Sequence, residues 1–329
     1  MCGVIGTWGL GRSSLPITVT GMHNMHNRAS SYAGVAVTDG TNVTRKVGRG
    51  IVSDVFPSGG ADYEQLNSTE ILGTAGHLRY PTSGRMKQAE LNAQPIMISG
   101  SNIAIAHNGN INNVSELDTG ILKDKISMTG MDTERLLRLI VQAAGKTIYE
   151  KIDRGLALAD GSYELILLLP NRLIAVMDKR SNHPLSYAKL NGGYVVASET
   201  SALEAVGALR KDIVYLKQGD VISFSDAGVE TYTLTQQPDV PSRKCVFELV
   251  YFSQLGSVPW GIHTTTFRRR LCEELSIEHS FKCDHLIVPV PDSGIPLAQG
   301  VARNSPFGEL EIHGIIRNHY AGRNFIVDS

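Results

Sequence analysis

A cysteine in second position is the first residue of this chain that can do chemistry. Met1-Cys2-Gly3 runs straight into a strand-like stretch, Val4-Ile5-Gly6-Thr7-Trp8. The small Cys2 side chain lets methionine aminopeptidase remove Met1, and the mature chain then begins with a residue carrying both a thiol and a free α-amine. That amine has a reference pKa of roughly 7.7–8.0, so near neutral pH part of it is unprotonated and takes the thiol proton, directly or through a water. Such a residue is a nucleophile with its own general base. A second-position cysteine that keeps its Met is the plain alternative, and three residues do not separate the two.

Two later segments supply what such a nucleophile needs. Ile103-Ala104-Ile105-Ala106-His107-Asn108-Gly109-Asn110 reads as an apolar strand breaking into a tight turn with Gly109 at its apex. The Gly109 N–H and the Asn108 side-chain amide then point one way, and two convergent neutral donors suit a tetrahedral oxyanion. Gly76-His77-Leu78-Arg79-Tyr80-Pro81-Thr82-Ser83-Gly84 puts the Arg79 guanidinium beside a proline-stiffened turn. Its planar fork matches a carboxylate held in two parallel hydrogen bonds. Taken singly, Asn-Gly is a hairpin turn and Arg-Tyr-Pro a surface loop. Behind an N-terminal cysteine, in this order, coincidence is a poor account of them.

The elements that must position these groups follow from the pattern. Up to about Thr233, short β-branched or alternating runs recur at 33–37, 71–75, 103–106, 165–169, 173–176, 194–197 and 221–224. Helical patterns cover 15–28, 132–144 and 148–158, and residues 133–140 carry apolar side chains at the i, i+3, i+4 spacing of a helix packed on a sheet. Asp132 stands at the edge of that helix, where its residue type reads as an N-cap. Gln236-Gln237-Pro238-Asp239-Val240-Pro241-Ser242 reads as a linker. The first domain is therefore expected over 2–235, the linker over 236–243 and a second domain over 244–329. In the second, His285 to Pro291 is an apolar strand leading into Asp292-Ser293-Gly294, followed by a helix from Ile295 with Pro296 in its first turn. Strand, small polar turn and helix N-terminus make a cradle for an anion. A further strand is expected over Glu311 to Ile316.

Length and charge narrow the class. A chain of 329 residues is long enough for two cores, and a net charge of −1 supplies no basic field for nucleic acid or acidic membranes. The longest apolar run, Leu165 to Leu169, is too short to span a bilayer, and no charged leader precedes an apolar segment. The chain is expected to be cytoplasmic. Cys2, Cys245, Cys272 and Cys283 show no zinc spacing, and the last three read as reduced thiols, so no metal is expected.

The combination resembles the class II, N-terminal nucleophile glutamine amidotransferases, and within them the amidophosphoribosyltransferase branch. The matching stretches are 1–6, 52–56, 77–84, 106–110, Asp132 in Gly-Met-Asp-Thr-Glu, 196–200, 245–252 and 317–326. The resemblance implies an α+β fold, a four-layer αββα sandwich followed by a partial doubly wound α/β phosphoribosyltransferase-like domain. It implies hydrolysis of glutamine through a Cys2 thioester, with Asn108 and Gly109 at the oxyanion. Arg79 and Thr82 would hold the α-carboxylate and Asp132 the α-amine, and Arg28 would join them in binding glutamine. Asp292, Ser293 and Gly294 would contact the pyrophosphate of phosphoribosylpyrophosphate in the first step of purine synthesis. Some relatives carry an iron–sulfur cluster, but only Cys245 falls near one of its ligand positions.

Two departures qualify this. The family's paired acids and Gly-Thr-Thr turn, which bind the ribose and 5′-phosphate, are not found, so the phosphoribosyl-binding segment is taken as absent. Mg2+ would be required only if a partner completed that site. Ile287, Val288, Ile312 and Ile315 would then lie on a poorly covered sheet, and self-association or an ammonia-accepting partner is expected. The other departure is Asn27-Arg28-Ala29-Ser30-Ser31, where the family has His-Arg-Gly-x-Asp; if the backbone there needs positive φ, Ala29 costs about 1 kcal/mol. A stand-alone glutaminase subunit and a non-catalytic scaffold are the alternatives. Mass spectrometry of the intact protein should show loss of Met1, and a glutamine-analogue diazoketone should label Cys2 alone; retained Met1, or label on another cysteine, would defeat the catalytic reading.

Overall fold

The structure is a computed structural model that describes residues 2–67, 70–80, 91–123, 129–279, 286–305, 309–310 and 312–316. It divides into two compact units, Met1–Lys244 and Cys245–Ser329.

In the first unit the chain makes β1 (Gly3–Trp8), α1 (Ser14–Asn24), β2 (Tyr32–Thr38), β3 (Val43–Arg49), α2 (Val52–Val55), α3 (Ala61–Asn67) and β4 (Gly73–Arg79). It continues through β5 (Ala104–Ile111), α4 (Val114–Thr119), α5 (Asp132–Gln142), α6 (Ile148–Leu156), β6 (Gly161–Leu169) and β7 (Arg172–Met177). Then come β8 (Ser186–Leu190), β9 (Gly193–Ala197), α7 (Thr200–Ala205), β10 (Val214–Tyr215), β11 (Asp220–Ser225) and β12 (Gly228–Thr233). Among the described residues these strands form two antiparallel sheets, ordered β10-β8-β9-β1-β4-β2-β3 and β12-β11-β7-β6-β5.

Three apolar layers explain the stacking. Alternate residues of both sheets, among them Val4, Ala75, Ala104, Ala106, Ile166, Leu168 and Ala175, meet in one buried cluster between the sheets. The opposite face of the larger sheet packs its Ile5, Val35 and Leu78 under Leu15 and Met22 of α1 and Leu203 of α7. The outer face of the smaller sheet packs Ile105, Leu165 and Leu167 under Leu136 and Ile140 of α5 and Ile152 of α6. Strand periodicity of two thus sends every second residue to a different core, and the result is the expected αββα sandwich.

The structure corrects the sequence reading at several points. Asn108 and Gly109 are not in a turn: β5 runs through them, with Asn108 opposite Glu164 and Gly109 opposite Tyr163. The strand expected at 71–75 begins at Gly73 and runs on to Arg79, because Gly73 and Gly76 are held inside the sheet by pairing on both sides. β3, β8 and β12 are strands whose mixed polar sequences gave little sign of it. Residues 236–243 lie along the first unit: the Asp153 carboxylate accepts from Gln236 N at 3.0 Å, Gln237 donates to the Leu156 carbonyl at 2.9 Å, and Arg243 N donates to the Arg180 carbonyl at 2.7 Å.

Ala29 is also corrected. Among the described residues, positive φ outside glycine occurs only at Ser181, Asn191 and Trp260, so Ala29 carries no such strain. It is fully buried in the core under the larger sheet.

The second unit has a π-helical turn at Glu248–Phe252, α8 (Thr264–Glu278), β13 (Leu286–Ile287), α9 (Ile295–Asn304) and β14 (Glu309–Leu310). β13 and β14 pair in parallel. The strand expected at 311–316 is instead a 3-10 turn over Ile312–Gly314, since His313-Gly314 interrupts the apolar run. Gly300 lets α9 lie directly on α8, where a Cβ would stand 2.3 Å from the Arg269 carbonyl. Val288 and Ile315 are exposed on this unit by 39% and 46%; Ile287 is half-buried, and the Ile312 side chain lies outside the described residues.

The Ala29 finding is testable. Ala29→Gly should destabilise the chain by about 1 kcal/mol in urea unfolding, because it loosens the unfolded chain without relieving any native strain; a gain in stability would show that this backbone does need positive φ.

Candidate active site

Cys2 sits at the end of β1, a central strand flanked by β9 and β4. The register Gly3↔Leu78 carries Cys2, one residue earlier, level with Arg79. On the other flank Ser198 Oγ accepts from Val4 N at 3.1 Å, and Ser198 N donates to the Val4 carbonyl at 3.0 Å. Arg28 Nε donates to the Cys2 carbonyl at 2.8 Å. Its Nη1 pairs with Glu199 at 3.2 Å, and Asn27 donates to the same Glu199 oxygen at 2.7 Å. Both charged side chains are fully buried. Removing either partner would leave an uncompensated buried charge, so the pair fixes the backbone of Cys2. Sequence patterns did not flag Glu199 as anything but part of a matching stretch.

Across the gap between the sheets stands Asn108. Its Oδ1 accepts from Cys2 N at 3.2 Å, and its Nδ2 donates to Glu164 Oε2 at 3.2 Å. A primary amide has two N–H donors, so one remains beyond the Glu164 contact for an oxyanion. Gly109 follows from the geometry of β5, the last strand in its sheet. Its outward row of N–H groups is satisfied in turn: Ile105 N by the Ile96 carbonyl at 2.9 Å, His107 N by Gln94 Oε1 at 2.7 Å, and Ile111 N by Asp132 Oδ2 at 3.1 Å. Gly109 N–H falls in the same row. Its φ is +149°, and a Cβ there would lie 2.1 Å from the Ser162 carbonyl, so only glycine fits.

Arg79, the last residue of β4, is 2% exposed and donates to Met131 Sδ at 3.5 Å, with its guanidinium 5.6 Å from the centre of the Tyr32 ring. Burial pulls its pKa down, and the nearby Cys2, Tyr32 and Asp132 groups pull it back up. Asp132 opens α5 but is not its N-cap, which is Met131. One carboxylate oxygen takes Ile111 N and the other takes Thr133 N at 2.9 Å. Cys2, Arg79, Asn108, Gly109 and Asp132, more than a hundred residues apart at the extremes, thus converge on one end of the sandwich. Thr82 lies outside the described residues. Asp292, Ser293 and Gly294 belong to the second unit, where Gly294 caps α9 and its N–H donates to the Val290 carbonyl at 3.0 Å.

Behind Asn108 lies a buried polar layer that the sequence reading missed. His77 Nε2 meets the His107 carbonyl at 3.0 Å, and His107 Nδ1 meets Thr133 Oγ1 at 3.1 Å. Burial pushes His77 down to about 3, against the pull of its hydrogen bond to His107. Burial lowers His107 as well, although Asp132 works the other way. Both rings are neutral at pH 7. The available signal was histidine and glutamine placed inside apolar strands and their flanks.

The folded His77 pKa lies below the ordinary 6.5, so as pH falls the unfolded chain takes the proton first; stability is complete above about pH 6.5 and is lost progressively towards pH 3. His26, lowered to about 4 by burial and by the charge of His23, adds in the same direction. NMR of 15N-histidine-labelled protein should show the His77 ring neutral at about pH 5, with urea midpoints falling between pH 6.5 and 4. A ring that titrates near pH 6 would mean that water reaches it.

Known proteins resemble this chain in sequence and in fold. A family described as a glutamine amidotransferase domain matches residues 82–205. The amidophosphoribosyltransferase of Bacillus subtilis (strain 168) is 32% identical over 337 residues, covering 100% of this chain and 67% of the relative. That of Methanocaldococcus jannaschii is 33% identical over 347 residues, covering 100% of this chain and 71% of the relative. The solved glutamine phosphoribosylpyrophosphate amidotransferase from B. subtilis, complexed with ADP and GMP, superposes with a TM-score of 0.85 at 31% identity, over 100% of this chain and 69% of that one. The chain therefore spans about two thirds of the length of these relatives. Full-length similarity in sequence and in fold makes this chain a member of the amidophosphoribosyltransferase family, within the class II glutamine amidotransferases.

Proposed function

We propose that this chain hydrolyses glutamine at Cys2 and that the ammonia released serves phosphoribosylpyrophosphate, the substrate in the name of its solved B. subtilis relative. The observation that carries the reading is the 3.2 Å contact from Cys2 N to Asn108 Oδ1 across the two sheets. Once Met1 is removed, that nitrogen is the α-amine, already held beside the oxyanion donor.

The chemistry then runs on residues in place. The Cys2 thiol gives its proton to the α-amine as sulfur attacks the γ-amide carbon of glutamine. The carbonyl electrons move onto oxygen, which the Gly109 N–H and the second Asn108 N–H receive; preorganised donors of this kind cost no reorganisation in the transition state. Collapse of the tetrahedral adduct breaks the C–N bond, the amine returns its proton to nitrogen, and ammonia leaves a γ-glutamyl thioester. Water, deprotonated by the same amine, attacks the thioester, and glutamate leaves with the thiol restored. Arg79 holds the α-carboxylate and Asp132 the α-amino group, while Arg28 acts from behind by fixing the Cys2 carbonyl. On the acceptor side, Asp292, Ser293 and Gly294 are the residues assigned to the pyrophosphate.

Glutamate release by the purified chain tests the reading directly, and Cys2→Ala should abolish it. Asn108→Ala should lower kcat by roughly 10²–10³ with little change in KM, the usual loss for one oxyanion donor. Arg79→Ala should raise KM as well, because its ion pair forms before any bond is made. An Asn108→Ala variant with raised KM and unchanged kcat would exchange the two assignments.

A further inference from the structure

We infer that Glu164 is a positioning residue for the oxyanion donor: it fixes which way the Asn108 amide faces. The inference rests on the glutamine reading of Asn108 given above. β6 alternates strictly, with Leu165 and Leu167 packed beneath the helices and Ile166 and Leu168 packed between the sheets. Glu164 has the parity of the second pair, so it projects into the apolar layer between the sheets, with no exposure to solvent. Its register partner on β5 is Asn108. A carboxyl group in such a layer is strongly unfavourable unless its oxygens are satisfied. Here both oxygens accept from N–H groups: Oε1 from His183 N at 3.0 Å and Oε2 from Asn108 Nδ2 at 3.2 Å.

That contact resolves an ambiguity a side-chain amide otherwise has. Asn108 rotated by half a turn would present its carbonyl oxygen to the Glu164 carboxyl and its NH2 to Cys2 N, two mismatches at once. With Glu164 accepting, the NH2 group is turned towards β6 and the oxygen towards Cys2 N. The second N–H is then held ready for the oxyanion, and Oδ1 accepts a hydrogen bond from the N-terminal amine. An apolar residue at this position would serve the inter-sheet packing equally well, as Ile166 and Leu168 do. It would leave the amide free to turn.

The test uses the full chain and four variants: Glu164→Ala, Glu164→Gln, Asn108→Ala and the double variant Glu164→Ala/Asn108→Ala. Glutamate release gives kcat and KM, and labelling of Cys2 by a glutamine-analogue diazoketone gives a second rate. Glu164→Ala should lower kcat roughly 10- to 100-fold at unchanged KM, the scale of loss for a misplaced catalytic group. The Gln amide has one oxygen for two donors, so Glu164→Gln should fall between alanine and wild type. In the Asn108→Ala background, Glu164→Ala should cost no more than about 2-fold, because a residue acting through Asn108 has nothing left to position. Wild-type rates in Glu164→Ala, or losses that multiply in the double variant, would overturn the role. Should the alanine variant fail to fold, Glu164→Gln alone and paired with Asn108→Ala carries the same comparison. A wild-type chain that neither releases glutamate nor takes label at Cys2 would overturn the glutamine reading, and this role with it.

Discussion

The buried contact of the Arg28 guanidinium with the Cys2 carbonyl and Glu199 is the constraint on which the site depends. A chain terminus is ordinarily the least ordered part of a domain, yet here it carries Cys2, the candidate nucleophile, within a sheet. β1 is clamped between two strands, and Ser198 closes the ladder beside Val4. Arg28 then ties the last peptide group down. The charge this requires is neutralised by Glu199 at the start of α7, which Asn27 also reaches. Cys2 is thereby tied to its neighbours much as a residue within a sheet is.

The facing sheet solves a different problem. An edge strand exposes a row of unpaired N–H groups, which proteins must cover or satisfy. β5 satisfies its row with side chains and one short bridge, from Gln94, Asp132 and Ile96. Asp132 serves two ends here: it completes the edge of β5 and stands at the site beside Arg79. The same satisfied edge presents Gly109 N–H and carries Asn108 on the opposite parity. The donors of the site are thus a by-product of how one sheet edge was finished.

Neutral histidines and uncharged amides fill the layer behind these donors, and burial keeps them so. The His77 ring joins the two sheets through the His107 carbonyl, and the His107 ring reaches Thr133 on α5, without adding charge to this layer. Arg79 and Asp132 add one charge of each sign to the site, each acting on the other through space.

Read by itself, the sequence determined the kinds of groups available and the approximate elements that carry them. Cys2, Arg79, Asn108, Gly109 and Asp132 are conspicuous because their types suit nucleophilic, anion-binding and oxyanion roles, and the helices over 132–142 and 148–156 are legible from their 3.6-residue period. Strands with strong β-branched runs were equally plain. What only the tertiary structure decided was pairing. Asn-Gly looked like a turn because that dipeptide favours one locally; the ladder with β6 overrode the preference and made Gly109 a strand residue with positive φ. Ala29 looked like a strained replacement for glycine until its backbone proved ordinary. Glu164, Glu199, Gln94 and His77 gave no local sign of the residues they serve, because each acts on a residue from 13 to 172 positions away. Hydrogen bonds of that span are set by which sheet faces which, and no window along the chain contains that information.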